Sequence, residues 1–367
     1  MSSQHTQSHQ EEDMEEEEAP HNVLSLQTND IRYFLSLLKG INFASSKLAS
    51  MTITSTGLII TVEEARSVTA TAWIFKDVFD DYSYTPPRPE PSASARSSVS
   101  LRSTPSRSQS DLTTVLEIPL HSLLDCLSVF TGNNTASSTK KRGVRPTGDD
   151  DDLNDQAGRL DAYFGGGAKR TGMSMYYAGE GHPLTISIAE TSGNGPSARC
   201  EISTFEPEGM LDIALNYEQT QLKIILKSSW LREALSDLDP KEYDKLTFVG
   251  NPLGTPATGD ARPSRVSSKP IFRIMASGSL GSTEMDYTND REVLETFECE
   301  DSVSFSYRFS HIRGALAALQ TSDKSSLRID NEGILSLQFL MEHPTRTKQG
   351  AMQGYIDFLC LPMEDGF

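Results

Sequence analysis

The sequence has 367 residues, with 33 Lys and Arg against 51 Asp and Glu, and its formal net charge is −18 at pH 7. An acidic chain repels nucleic acid in general, so any contact with a phosphate backbone has to come from a local basic surface. Four cysteines without CxxC spacing predict buried, reduced thiols rather than a metal site or a disulfide framework. No apolar run reaches membrane-spanning length and the N-terminal stretch is polar, so we expect a soluble intracellular protein with no membrane partner.

The first 43 residues contain an acidic stretch and then a strand that runs into a helix. Residues 1–21 have seven acidic residues and no Lys or Arg, which predicts a disordered acidic tail. A short strand, Val23 to Gln27, follows. The next apolar residues are spaced i, i+3, i+4 and i+7, which places them on one face of a helix. They are Ile31, Phe34, Leu35 and Leu38.

The same strand–helix unit occurs three more times, and each copy is followed by β-rich sequence. Four copies in one chain indicate internal duplication. Ser228 and Ser229 are expected to cap the third helix, because their hydroxyls can accept from free N–H groups at a helix start. The three further strands are Val115 to Leu120, Gln221 to Lys227 and Val303 to Phe309. The apolar residues of the helices that follow them are, in the same order, Leu123, Cys126, Leu127 and Phe130; Leu231, Ala234, Leu235 and Leu238; and Ile312, Ala315, Leu316 and Leu319.

The remaining pattern predicts two similar domains of antiparallel strands. Ser55-Thr56-Gly57 and Asn331-Glu332-Gly333 are hairpin tips between alternating segments. Stretches rich in Ser, Pro, Gly or charge predict disordered insertions at residues 85–111, 131–172 and 251–268. We therefore predict an N-terminal domain over 22–205, a linker over 206–220 and a C-terminal domain over 221–367.

The sequence shows no catalytic motif. GxxxxGK[ST], GxSxG and HExxH patterns are absent, and Gly165-Gly166-Gly167-Ala168-Lys169 has the wrong spacing for a phosphate loop. The run Asp149 to Asp152 could bind a metal, but a charge run of this kind is more often solvated. The acidic pairs Glu63-Glu64 and Asp80-Asp81 stand at strand ends without a partner motif. We predict no catalytic residue, no metal and no cofactor.

The dispersed histidines and the basic residues of the helices have structural or surface interpretations. His121 and His311 stand near helix starts, where capping or surface positions are expected. Basic residues lie on or beside three of the four units. If the helices share one side, that side is less acidic than the rest and can contact phosphates without reading bases; ordinary helix-surface charge is the alternative. These basic residues are Arg32, Lys39, Lys223, Lys227, Arg232 and Arg313.

Several long segments resemble one known family. LKSSWLREALSDLD, MTITSTGLIITVEEARSVTATAWI, PLHSLLDCLSVF and RIDNEGILSLQF closely resemble the Rad-one family, the subunits of that name in the nine-one-one DNA-damage checkpoint clamp. More distantly they resemble the replication sliding clamp. The resemblance implies an α+β DNA-clamp fold of two similar domains, each with two strand–helix units. Helices would line the inner face of a ring and antiparallel sheets would form its outside.

The resemblance also implies partners and a location. Rad-nine-type and Hus-one-type subunits would close the ring, and a Rad-seventeen loader with replication-factor-C-type subunits would open it. The ring would encircle double-stranded DNA in the nucleus without sequence specificity, and would act in checkpoint signalling and as a repair scaffold. The six basic residues would face DNA. Edge strands would make the subunit contacts, through Arg199, Cys200, Ile202, Thr204, Thr283, Met285 and Tyr287.

Two other functions stay open at this point. A 3′–5′ exonuclease activity has been attributed to the family, although a metal-dependent nuclease needs carboxylates fixed on rigid elements and the sequence offers no such set. A homotrimeric polymerase processivity clamp would share the fold. The linker is where replication clamps dock client peptides.

Overall fold

A computed structural model describes residues 22–43, 45–87, 113–129, 170–190, 196–252, 270–341 and 354–363. The helices within these ranges are α1 (Arg32–Gly40), α2 (Leu120–Ser128), α3 (Ser228–Ser236), α4 (Phe309–Arg313) and α5 (Leu316–Thr321). The strands are β1 (Leu24–Thr28), β2 (Ala49–Thr54), β3 (Gly57–Glu64), β4 (Val68–Phe75), β5 (Asp81–Tyr84), β6 (Thr114–Ile118), β7 (Thr171–Tyr177), β8 (Leu184–Glu190), β9 (Ser197–Ile202), β10 (Thr220–Lys227), β11 (Lys245–Gly250), β12 (Phe272–Gly278), β13 (Gly281–Tyr287), β14 (Leu294–Cys299), β15 (Val303–Arg308), β16 (Ser322–Asp330), β17 (Leu335–Met341) and β18 (Tyr355–Cys360).

Several sequence predictions fall outside the described residues. They include the acidic tail, the Asp149 to Asp152 run, the glycine-rich segment before Lys169 and nearly all of the three insertions. One insertion boundary is corrected: β7 begins at Thr171, so the second insertion ends before residue 172.

All four predicted strand–helix units are present. Ile31, Phe34, Leu35 and Leu38 are buried, as are the apolar stripe residues of the third unit. The helix of the fourth unit is divided at Gly314, a residue with low helix propensity.

The predicted cap of the third helix is wrong. Lys227 occupies the N-cap position, and Ser228 is completely buried. The Ser228 hydroxyl lies 2.7 Å from the Ser325 hydroxyl and accepts a hydrogen bond from the Ser322 hydroxyl at 2.8 Å. Because β10 turns directly into the helix, the first helical residue faces β16. Its hydroxyl is therefore bonded to β16 and does not cap the free N–H groups at the helix start.

Three antiparallel sheets repeat one arrangement. The longest has the order β14-β10-β16-β17-β18-β4-β3-β2-β6, and the others are β5-β1-β7-β8-β9 and β13-β12-β11-β15. The two halves of the chain join inside the nine-stranded sheet, where β18 pairs with β4 from Tyr355↔Trp73 to Cys360↔Val68. The strands of the five-stranded sheet are arranged in the same relative chain order as the first five strands of the long sheet. The strands of the four-stranded sheet are arranged like its last four.

One strand of the long sheet is missing from the sequence predictions. β14 was not predicted; it pairs with β10 and its side chains are mostly half-buried or exposed, so it lacks a strong apolar pattern. β5 is short, and a 3-10 turn over Lys76–Val78 precedes it.

The helices form one row on the nine-stranded sheet. Contacts run from α2 to α1, from α1 to α5 and from α5 to α3, so helices of both halves are neighbours. α1 packs on β4 and β18, while α3 and α5 pack on β16. The main apolar core is continuous across both halves.

A buried tyrosine ties the first helix to the end of the second half. The Tyr33 hydroxyl donates to the Met341 carbonyl at 2.9 Å and accepts from the Gly354 N–H at 2.9 Å. Burial raises the pKa of Tyr33 to about 12, so the hydroxyl keeps its proton at neutral pH.

Replacing Tyr33 with phenylalanine is expected to lower the free energy of unfolding by about 2 kcal/mol, because a buried carbonyl and a buried N–H lose their partner. Tyr217→Phe is the matched control, since Tyr217 is 59% exposed and should cost under about 0.5 kcal/mol. Urea denaturation measures both variants. Equal midpoints for the two would contradict the role assigned to the Tyr33 hydroxyl.

Candidate DNA-facing surface and subunit edges

The row of helices carries a different charge from the rest of the chain. The five helices contain four Arg or Lys and two Asp or Glu, which gives a formal net charge of +2. The whole chain has a net charge of −18. The helix row is therefore a local, weakly basic surface on an acidic protein.

The exposed side of α1 is narrow and basic. Its outward residues are Arg32, the half-buried Ser36 and Lys39, at spacing i, i+4 and i+7. The Arg32 guanidinium binds the Asp30 carboxylate, with Nε 2.8 Å from Oδ1, and it holds the pKa of Asp30 below its usual value. Part of the Arg32 charge is thus neutralised within the chain, and Lys39 is the less compensated of the two.

Arg232 and Arg313 lie on the later helices. Arg313 is exposed at the end of α4, and Arg232 is half-buried on α3 beside the exposed Glu233. The positions of Arg232 and Arg313 agree with a mixed, weakly basic surface, and their contact with DNA stays a prediction. Lys227 is exposed where β10 meets α3, outside the helix itself. It pairs in register with Lys324 and lies on the strand face that also carries Lys223.

Lys223 lies on the other face of the sheet, so its assignment to the DNA-facing set is corrected. Leu222, Ile224 and Leu226 are buried on the side of the helices, and a strand alternates its side chains between faces. The Lys223 ammonium pairs with Glu298 at 2.9 Å and lines an open cleft beside Tyr217.

Two further predicted groups lie on sheet edges. β9 is the last strand of the five-stranded sheet, and β13 is the last strand of the four-stranded sheet. Each therefore has one side without a neighbouring strand in the described chain, and such backbone groups can complete the sheet of another molecule.

The β9 edge has a polar outer face and an apolar inner face. Arg199 and Glu201 are exposed and form an ion pair at 3.2 Å. Ile202 is buried, and Cys200 is half-buried. Thr204 follows the strand and donates to the His182 carbonyl at 2.9 Å.

The β13 edge shows the same division. Met285 and Tyr287 pack against the core, and the Thr283 hydroxyl lies 2.7 Å from the Tyr243 hydroxyl. On the outer face, Arg273 of β12 binds Asp286 through two hydrogen bonds and also pairs with Glu284. The seven residues predicted for subunit contact thus lie on or next to the two edges; contact with a partner remains to be tested.

Three carboxylates hold the segment between β9 and β10, and sequence reasoning found none of these contacts. Glu117 accepts from the Glu208 N–H at 2.8 Å, and Glu63 accepts from the Leu211 N–H at 2.7 Å. Asp330, which is 1% exposed, accepts from the Asn216 N–H at 3.1 Å. All three pairs join residues far apart in sequence, so only the folded structure reveals them.

The same segment also packs its own apolar side chains onto the sheet. Ile213 and Leu215 are buried against Ile334, with Leu359 and Leu361 beside them. The segment therefore has polar tethers along its length and an apolar contact near its middle.

His311 lies at neither of its predicted positions, a helix cap or the surface. It is buried where α4 meets the first half of the chain, and its Nδ1 lies 3.5 Å from the Ser67 hydroxyl. Burial lowers the pKa of His311 below its ordinary value. His311 is thus a packing residue at the junction of the two halves.

The acidic pairs considered for catalysis have structural contacts. Glu63 holds the linker segment, and the Asp80 carboxylate accepts from the Asn29 N–H at 2.6 Å. Among the described residues, no three His, Cys, Asp or Glu side chains are grouped to hold a metal ion. None of the helices in those ranges is long and apolar enough to cross a bilayer.

The fold is that of the sliding clamps. Proliferating Cellular Nuclear Antigen from Entamoeba histolytica superposes with a TM-score of 0.58 at 12% sequence identity, covering 94% of this chain and all of that chain. The predicted clamp fold, with its antiparallel sheets and single row of helices, is confirmed.

Within that class, the chain belongs to the family described as Repair protein Rad1/Rec1/Rad17, whose model matches residues 23–341. It is 30% identical over 351 residues to the mouse (Mus musculus) Cell cycle checkpoint protein RAD1, covering 95% of this chain and 96% of the relative. It is 29% identical to the DNA damage checkpoint control protein rad1 of Schizosaccharomyces pombe, covering 93% and 87%. The resemblance to the Rad-one family is confirmed, and the chain is a checkpoint clamp subunit.

A more distant relative has an enzymatic name. DNA repair exonuclease REC1 of Mycosarcoma maydis is 26% identical over 232 residues, which cover 55% of this chain and 50% of that protein. The match spans only about half of each sequence.

Proposed function

We propose that this chain is a non-catalytic subunit of a heterotrimeric ring that encircles double-stranded DNA in the nucleus. Rad-nine-type and Hus-one-type subunits complete the ring, and a Rad-seventeen loader with replication-factor-C-type subunits places it on DNA. The ring signals DNA damage and holds repair enzymes. Family membership supports the checkpoint role.

The observation that carries the ring is the repeated sheet. Inside the chain, five strands ending at β18 join four strands beginning at β4. At the two ends, five strands end at β9 and four begin at β13, in matching order. Pairing β9 of one subunit with the equivalent of β13 in the next would rebuild the same nine-stranded sheet. Repetition of that joint around three two-domain subunits closes a ring.

The helix row would then face the centre of the ring. Its net charge of +2 favours phosphate contact, whereas the acidic remainder of the chain opposes it. Four basic residues among acidic neighbours give weak contacts without base recognition. Such a surface suits a ring that moves along DNA.

Retention on closed DNA tests this function. The assembled ring, loaded onto nicked circular plasmid, is expected to stay bound through gel filtration in high salt and to be lost after one restriction cut. Topological linkage explains that result, because salt weakens phosphate contacts but does not open a ring. Equal loss from circular and linear DNA would contradict it.

The exonuclease alternative has its own test. Degradation of 3′ ends that requires Mg²⁺, follows the purified chain and disappears with one acidic substitution would establish catalysis. We expect no such activity. Glu63 and Asp80 each accept a hydrogen bond from a backbone N–H, which gives both carboxylates a structural role.

A further inference from the structure

Helix α3 lies at one end of the helix row, and one of its faces is uncovered. Contacts along the row run from α2 through α1 and α5 to α3, so the main helical neighbour of α3 among the described residues is α5. Trp230, Glu233 and the C-cap residue Asp237 are all exposed. Residues three and four positions apart are neighbours on a helix, so these three side chains share one face. We call Trp230, Glu233 and Asp237 the end face of α3.

Helix α1 is the equivalent of α3 in the first half of the chain. The apolar stripe from Ile31 to Leu38 has the same spacing as the stripe from Leu231 to Leu238, and equivalent positions are 200 residues apart. Each helix also belongs to the first strand–helix unit of its half. The residues of α1 equivalent to Glu233 and Asp237 are Tyr33 and Leu37.

This face of α1 is covered by the other half of the chain. Tyr33 is 4% exposed, and Leu37 is completely buried. The Tyr33 hydroxyl is hydrogen-bonded to the backbone of Met341 and Gly354, and Leu37 packs against Gly354. α1 also packs on α5 and β18, which belong to the second half. The face is therefore part of the joint between β4 and β18, and by equivalence the end face of α3 is part of the joint at the β13 edge.

The two faces differ in chemistry. The internal joint covers a tyrosine and a leucine, whereas the end face of α3 presents two carboxylates beside one indole ring. The β13 edge adds Glu284 and Asp286, and both of these are paired with Arg273. A carboxylate that is covered in an interface loses its hydration and needs a cation as compensation. A subunit placed against the end face therefore has to present Lys or Arg there.

A second copy of this chain does not offer such a cation. Inside the chain α5 packs on α1, and α2 is the equivalent of α5 because each follows the second strand of its half. In a ring of identical copies, α2 of one molecule would therefore meet α3 of the next. The α2 sequence, LHSLLDCLS, has no Lys or Arg, and its Asp125 is already paired with His121 at 3.5 Å. Self-pairing would bring Glu233 and Asp237 against another carboxylate.

We propose that the end face of α3 selects a neighbouring subunit whose facing helix carries Lys or Arg, and that it excludes a second copy of this chain. The inference rests on the proposed ring and adds a determinant of which subunits that ring contains. Trp230, which is 41% exposed, is the apolar anchor of the contact. Glu233 and Asp237 supply the charge discrimination.

Charge reversal tests the choice of partner. In Glu233→Lys with Asp237→Lys, the affinity for one of the two partner subunits, each measured separately by biolayer interferometry, is expected to fall roughly 30-fold. The affinity for the other partner should not change, because each partner meets one edge. Glu300→Lys with Glu332→Lys makes the same charge change at two exposed turn positions and should leave both affinities intact. Loss of neither affinity, or equal loss of both, would overturn the proposal.

Self-association tests the exclusion of a second copy without any partner subunit. Glu233→Tyr with Asp237→Leu gives α3 the residues that α1 has at the internal joint. Sedimentation velocity is expected to show this variant self-associating at about 100 µM, where the unmodified chain stays monomeric. Glu300→Tyr with Glu332→Leu is the matched control and should also stay monomeric.

Either of two sedimentation results contradicts the proposal. One is a Glu233→Tyr, Asp237→Leu variant that remains monomeric; the other is an unmodified chain that self-associates as strongly as this variant. If the unmodified chain binds neither partner subunit, the heterotrimer fails, and sedimentation still decides the role of the end face.

Discussion

Replacing Asp330 with alanine is expected to lower the free energy of unfolding by about 3 kcal/mol. The carboxylate is 1% exposed and accepts from the N–H groups of Glu332, Ile334 and Asn216 at 3.0, 2.8 and 3.1 Å. Alanine leaves these three donors without an acceptor, two of them within the β16–β17 turn. Gly333 in that turn has φ of 81°, so the backbone conformation itself needs support.

Two companion variants make the Asp330 measurement specific. Asp323→Ala removes an exposed carboxylate from the same strand and should cost under about 0.5 kcal/mol. Asp330→Asn keeps one acceptor oxygen and should fall between the two. Chemical denaturation gives the stabilities, and limited proteolysis of residues 206–216 should accelerate for Asp330→Ala. A cost for Asp330→Ala no greater than for Asp323→Ala would show that the carboxylate does not hold the turn.

Replacing Lys39 and Arg313 together with alanine is expected to weaken DNA binding by the assembled ring roughly 50-fold at about 0.1 M salt. Both side chains are exposed on the helix row, and each phosphate contact contributes through counterion release. The slope of log affinity against log salt should decrease by about 2 units. Fluorescence anisotropy with short duplexes at several salt concentrations measures both quantities.

The matched control removes two cations from the opposite face of the sheet. Lys223 pairs with Glu298, and Lys324 pairs with Glu295 at 2.8 Å. Lys223→Ala with Lys324→Ala changes the net charge equally and should leave the salt slope unchanged. If both double variants weaken binding equally, overall charge is responsible and the helix row is not the contact surface.

Local sequence patterns predict the strand–helix units because their apolar spacing is strong. Ile31, Phe34, Leu35 and Leu38 are all buried, and the repeated units account for the duplicated sheets. β14 was missed because a strand that is mostly half-exposed carries little apolar alternation. Local pattern is therefore informative where one face is fully buried and weak elsewhere.

Contacts between distant residues explain the errors at the candidate site. The alternation of apolar and polar residues predicts that Lys223 and Leu222 lie on opposite faces of their strand. The sequence does not show which of the two faces the helices cover. His311 is buried because the turn before β4 packs over it. The carboxylate tethers likewise join segments that only the tertiary fold brings together.

Subunit composition is the most direct test of a heterotrimeric clamp. Native mass spectrometry should find the purified chain alone as a monomer of 40.4 kDa. Mixing with Rad-nine-type and Hus-one-type subunits should give a complex with one copy of each. A closed assembly of three copies of this chain, formed without either partner, would contradict the proposed heterotrimer.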